Sequence, residues 1–128
     1  MGVGLAPRFD KKLRGVDFDS DGKGLTLFFD LLNDICEEQG LIPFKDFTDD
    51  EVLEALGPGK AKYKEPWKSP SDGLQTIRGL ISVLESEPKR VEKALRSHLK
   101  YVLADLKDLE HCLEVAKKRR ARFYLMFW

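Results

Sequence analysis

Seven apolar residues between positions 95 and 116 recur in alternating steps of four and three: Leu95, Leu99, Val102, Leu106, Leu109, Leu113 and Ala116. That spacing averages about 3.5 residues and keeps one stripe on one side of a helix for about three heptads. The segment 88–120 therefore predicts one long helix, roughly 45 Å at 1.5 Å per residue. A seam of that length has to be covered, so the rest of the chain is constrained to pack around it. Its end is basic (Lys117, Lys118, Arg119, Arg120), as the negative end of a helix dipole favours.

The covering elements can be read from their punctuation. Leu25, Phe28, Phe29, Leu32, Ile35 and Cys36 share one helical face, and Gly40 follows as a left-handed stop. Thr48 and Glu51 have the spacing of a capping box, with Phe47 and Val52 placed as a staple across it. This predicts a short helix closed by Gly57 and Pro58. A further helix begins at Ser69 as N-cap, with Pro70 at the first helical position and Asp72 in the first turn. Its apolar face is Leu74, Ile77, Leu80, Ile81 and Leu84. Gly79 lies inside that helix at a cost of about 1 kcal/mol relative to Ala, which predicts a close neighbour there.

Both chain ends read as strands. Met1, Val3 and Leu5 alternate, and Pro7 either ends the strand or confines it to a sheet edge. The sequence RFYLMFW is apolar on both alternating faces: Phe123, Leu125 and Phe127 on one, Tyr124, Met126 and Trp128 on the other. A strand of that kind needs cover on both sides, the helices giving one and a second subunit the other. A lone strand has no ladder partner, so the two ends are expected to pair. The predicted fold is a single α+β domain over residues 1–128. It is mainly helical, with three to four helices around the long helix of the C-terminal half and a small sheet from the two terminal strands.

Composition narrows the function classes. The 128 residues include 22 basic and 22 acidic side chains, a formal net charge of zero. Phosphate neutralisation supplies most nucleic-acid affinity, so overall neutrality argues against DNA or RNA as partner. No apolar run approaches the roughly 20 residues that cross a bilayer, and no membrane partner is expected. The first residues carry neither a signal peptide nor a myristoylation signal, since Ala6 stands where Ser or Thr is required. Cys36 and Cys112 read as buried thiols in a reducing compartment rather than a disulfide. These points together predict a cytoplasmic location.

Three constellations resemble sites. In DFDSDGKG, Asp17, Asp19, Asp21 and Gly22 match positions 1, 3, 5 and 6 of an EF-hand loop, and Phe9, Leu13 and Val16 fit an entering helix. The twelfth position, which needs a bidentate Glu, is Phe28. An aspartate cap and an Asp-Gly turn explain the stretch more simply than calcium does. In DLEHC, Asp108, His111 and Cys112 are neighbours on one helical surface, suggesting a nucleophile or part of a zinc site. No fourth ligand is evident, His98 is about 20 Å away along a continuous helix, and Cys112 borders the leucine stripe as a small core residue. In KAKYKEPWK, lysines interleave with Tyr63 and Trp67 as a base-stacking surface would, or as a surface loop whose Trp67 folds back to cover the core. The chain contains no P-loop spacing, no G-x-S-x-G and no HExxH.

The sequence thus predicts a non-catalytic protein-interaction or self-assembly module, forming a homo-oligomer. The first alternative is weak calcium binding through Asp17, Asp19 and Asp21, and the second a small enzyme of unknown reaction. No residue is assigned a catalytic, cofactor-binding or metal-ligating role, and no cofactor is expected.

Overall fold

The leucine stripe is the buried spine of the molecule: Leu95, Val102, Leu106, Leu109, Leu113 and Ala116 are all withdrawn from solvent. The computed structural model describes residues 4–13, 22–48, 67–87 and 93–127. Their elements are β1 (Leu5–Phe9), α1 (Lys23–Leu27), α2 (Phe29–Glu38) and a 3₁₀ turn (Phe44–Phe47). Then follow α3 (Pro70–Ser86), α4 (Lys93–Ser97), α5 (Leu99–Lys118) and β2 (Phe123–Phe127). The architecture is the predicted one, helices around a long helix with the chain ends paired. The short helix predicted after Thr48 and the aspartate loop at 17–21 lie outside the described residues.

α3 is the main cover of α5. It starts where its punctuation places it: Ser69 Oγ accepts from the Ser71 N–H at 3.2 Å, and Pro70 opens the helix. Leu74, Ile77, Leu80, Ile81 and Leu84 face the stripe and are buried. The two helices run antiparallel, since Glu85 pairs with Lys107 while Arg78 pairs with Glu110 and Glu114. Gly73 lies under Phe123 and Leu113, and Gly79 under Leu41. The close neighbour that Gly79 predicted is thus the first residue after the Gly40 stop. Thr76 pins the same loop by donating its hydroxyl to the Ile42 carbonyl at 2.7 Å.

Two helices predicted as continuous are interrupted. The 24–39 helix breaks at Phe28 and the 88–120 helix at His98, with nearly the same backbone angles (φ −110°, ψ 24° and φ −114°, ψ 17°). Each break is approached by a hydroxyl that bonds the carbonyl four residues back. Thr26 Oγ1 donates to Gly22 O at 3.1 Å, and Ser97 Oγ donates to Lys93 O at 3.0 Å. Such bonds compete with the ladder and bend helices. At His98 the ladder tightens, its N–H donating to Leu95 O three residues back. The two breaks pack against each other, the Phe28 and His98 rings lying 5.6 Å apart. The rod is therefore shorter than predicted, with the unbroken part running from Leu99 to Lys118, although the stripe passes through the break.

The helix ends show one stop built in two ways. After α2, Leu41 N–H bonds Cys36 O and Gly40 N–H bonds Glu37 O, with Gly40 at φ 71°. After α5, Ala121 N–H bonds Ala116 O and Arg120 N–H bonds Lys117 O, with Arg120 at φ 56°. Both are Schellman motifs. An arginine in the left-handed region costs about 1 kcal/mol that glycine avoids.

β1 and β2 pair antiparallel, with Leu5 opposite Phe127 and Phe9 opposite Phe123. The strand does not end at Pro7, which lies opposite Leu125. The register explains why Pro7 is tolerated. Phe123 exchanges both backbone bonds with Lys68, so its groups point away from β1. By alternation the pairs Phe9–Phe123, Pro7–Leu125 and Leu5–Phe127 are the non-bonded ones. The missing N–H of Pro7 therefore faces the outer edge and removes no ladder bond. That edge is further closed by Gly22, whose α-carbon lies against the Leu5 peptide at φ 69°. The opposite edge, along β2, is bridged by Lys68 and Thr48. Phe123 and Leu125 face the core, where Phe47 stacks on Phe123. The outer face carries Ala6, Arg8, Tyr124 and Met126.

Candidate functional site

The DLEHC residues share a helix but do not converge. Cys112 is fully buried, Asp108 is partly buried and His111 is exposed, so the three run from core to solvent. No group of three potential metal ligands exists among the described residues. Both thiols are free and buried. Burial drives the Cys36 thiol up to about 12, against a bond from the Phe44 N–H that favours thiolate, while Glu37 raises it further. A thiol so placed is un-ionised at neutral pH and chemically quiet.

Asp105 was missed by sequence reading. It projects into the core from α5, only 6% exposed, and its Oδ2 accepts the Gly24 N–H at 3.1 Å. Gly24 is in the first turn of α1, where amides lack helical partners, so Asp105 caps that helix from across the molecule. The signal was present: position 105 is three residues from Val102 and four from Leu109, on the stripe side, and it carries an acid. An acid there requires a buried donor.

Between α3 and α5 lies an open cleft of about 410 Å³ lined by Leu74, Arg78, Glu114, Lys117 and Lys118. Arg78 spans it, its Nη2 2.6 Å from Glu114 and its Nε 3.1 Å from Glu110. Those hydrogen bonds, to Glu114 first, raise the guanidinium pKa. Arg78 is thus committed to the helix pair, which leaves Lys117 and Lys118 as the cations facing outward.

Two surface features remain. Leu27 and Tyr101 are large apolar side chains with 68% and 66% of their area exposed. Gly24 lies by Val102 and Asp105 while Phe28 lies by His98, so α1 runs antiparallel to this part of the long helix. Leu27 and Tyr101 each precede a contacting residue by one position. In an antiparallel pair such positions fall on the same flank of the seam. The second feature is the outer sheet face. Trp67 does fold back, but onto Tyr124, ring centroids 5.1 Å apart and edge to face. Beside them the Arg8 guanidinium donates to Met126 Sδ at 3.6 Å. The second cover of β2 is thus supplied in part by its own chain. The lysines at 60, 62 and 64 lie outside the described residues, as do Asp17, Asp19 and Asp21. Phe9 belongs to β1, and residues 11–13 are not helical, so among the described residues no helix runs from Phe9 to Leu13, while Val16 lies outside them.

Among the described residues no helix is long and apolar enough to cross a membrane. Comparison with protein-family models, curated proteins and solved structures gives no match.

Proposed function

We propose that this chain is a non-catalytic interaction module of the cytoplasm whose partner is a second copy of itself, docking through the flank that carries Leu27 and Tyr101. The observation that supports this is the exposure of both side chains on one side of the α1–α5 seam. Burying two such residues yields about 1.5–3 kcal/mol each, enough to make them the anchors of a contact. Two further points favour side-chain docking over strand addition. Pro7 and Gly22 blunt the outer edge of β1, and Lys68 and Thr48 occupy that of β2, which leaves little ladder for another strand. A net charge of zero also places no long-range repulsion between copies.

Sedimentation velocity over a wide concentration range tests the reading. The expected result is a dimer that dissociates on dilution, shifted to monomer by Leu27→Asp with Tyr101→Asp while melting temperature is unchanged. A monomer at every concentration, or a dimer indifferent to both substitutions, overturns it.

A further inference from the structure

Eight cations gather where the end of α5 meets the end of β1. Lys117, Lys118, Arg119, Arg120 and Arg122 come from one chain end, and Arg8, Lys11 and Lys12 from the other; Arg119 and Arg122 are tied directly to Lys11 and Asp10, and the remaining cations flank that junction. Lys11 Nζ donates to the Arg119 carbonyl at 3.3 Å, and Asp10 N–H donates to the Arg122 carbonyl at 3.0 Å. Asp10 is the sole carboxylate within segments 8–12 and 117–122, and Arg122 engages it through its backbone N–H at 2.8 Å and its Nε at 3.1 Å. All eight basic residues are exposed.

We propose that this pole, with the Trp67–Tyr124 ledge beside it, binds single-stranded nucleic acid. Overall neutrality counted against such a partner, but neutrality of the whole chain means that a pole this basic is balanced by acid elsewhere. Segments 8–12 and 117–122 set eight cations against one carboxylate, and a local potential is what phosphates respond to. The cluster also exceeds what the helix dipole requires. At the end of α5 the Ala116 and Lys117 carbonyls are already met by the Ala121 and Arg120 N–H groups, and the C-cap carbonyl of Arg119 by Lys11. The side chains of Lys117, Lys118, Arg119 and Arg120 make no ion pair or hydrogen bond among the described residues.

A second observation is independent of charge. Arg120 sits at φ 56° in the same motif that Gly40 serves without strain at φ 71°. A non-glycine residue held at this φ is the kind of backbone outlier found at functional sites.

The ledge selects single strands. Trp67 and Tyr124 are partly exposed on the outer sheet face, and Arg8 stands opposite Tyr124 on β1. Unpaired bases can stack on such rings while the backbone tracks the cations beyond them. In a duplex the bases are already stacked on each other, leaving only phosphate contacts.

The test is fluorescence anisotropy of the whole protein with a labelled oligo-dT of about twenty nucleotides. Engaging about five phosphates gives a salt slope near −3.5, so fourfold more salt weakens binding about 100-fold. Lys117→Glu with Lys118→Glu is expected to abolish binding. Tyr124→Ala weakens it about tenfold and leaves the salt slope unchanged. Arg120→Gly weakens it while raising the melting temperature, a combination that loss of folding cannot produce. Absence of oligonucleotide binding at low salt overturns the proposal. Equal affinity for duplex DNA, heparin or anionic vesicles also overturns it, because the ledge would then contribute nothing.

Discussion

Gly73 and Gly79 lie six residues apart on α3, and the same added methyl is expected to have opposite effects at the two. In a helix interior Gly→Ala contributes about 1 kcal/mol of stability through backbone entropy alone. At Gly73 the new Cβ would fall 2.6 and 2.8 Å from Phe123 ring carbons and 2.9 Å from a Leu113 methyl. Phe123 and Leu113 are fully buried, and the Phe123 ring is further wedged against Phe47, so neither can move without opening the core. Overpacking of this kind costs about 1–3 kcal/mol. Taking its upper half, Gly73→Ala is destabilising by about 1–2 kcal/mol net of the helix gain. At Gly79 the methyl meets the two Leu41 methyls at 2.5 and 2.9 Å. Leu41 is only partly buried and follows the end of α2, so its side chain can rotate outward for a fraction of its burial energy. Gly79→Ala should therefore fall between neutral and about 1 kcal/mol stabilising. Urea titration of both variants beside the parent checks this, with equal slopes required before midpoints are compared. In heat the two variants should differ by about 7 °C for a chain of this length. If Gly73→Ala is as stable as the parent, Phe123 does not pack on α3 as described, and the placement of β2 against the helices is wrong.

Three further outcomes follow from single groups. Asp105→Ala leaves the part-buried Gly24 N–H without its acceptor and should cost about 1–3 kcal/mol; Asp105→Asn, which keeps an oxygen there, should cost less by thermal melting, and equal losses would show that this bond is not the reason. Cys36 stays un-ionised up to about 12 when folded, while in the unfolded chain it ionises near 8.5. Between those values only the unfolded state releases the proton, so stability should fall by about 1.4 kcal/mol per pH unit as pH rises; Cys36→Ala should remove that slope, as denaturation at several alkaline pH values would show. For Asp10, burial raises its pKa, but the Arg122 N–H and guanidinium, with Lys11, outweigh this and hold it below the usual carboxylate range. Its ionisation therefore stabilises the fold at neutral pH, and that contribution is lost as pH falls below about 4. Asp10→Asn should flatten the decline in melting temperature on acidification.

The extent to which the sequence determined this protein differs between its helices and its surface. The stripe from Leu95 to Ala116, the Ser69–Pro70 start of α3 and the Gly40 stop of α2 were all legible, because each depends on residues within one or two turns of each other. Pairing of the chain ends was legible as well, since an apolar strand must find a ladder partner and the chain offered one other. The breaks at Phe28 and His98 were not read, although Thr26 and Ser97 announced them. A hydroxyl four residues after a carbonyl bends a helix only where packing rewards the bend, and here that reward is the contact between the two breaks.

What tertiary structure alone decided is which distant residues become neighbours. Asp105 needed Gly24 brought across the core before its charge had a purpose. Trp67 needed β2 in place before it had a surface to fold onto. Charge behaves in the same way: summed along the chain it vanishes, whereas its distribution in space depends on segments 8–12 and 117–122 meeting at one end. Periodicity and capping are local and so are written in order along the chain. Electrostatic potential and burial are sums over space, and only the fold sets those distances.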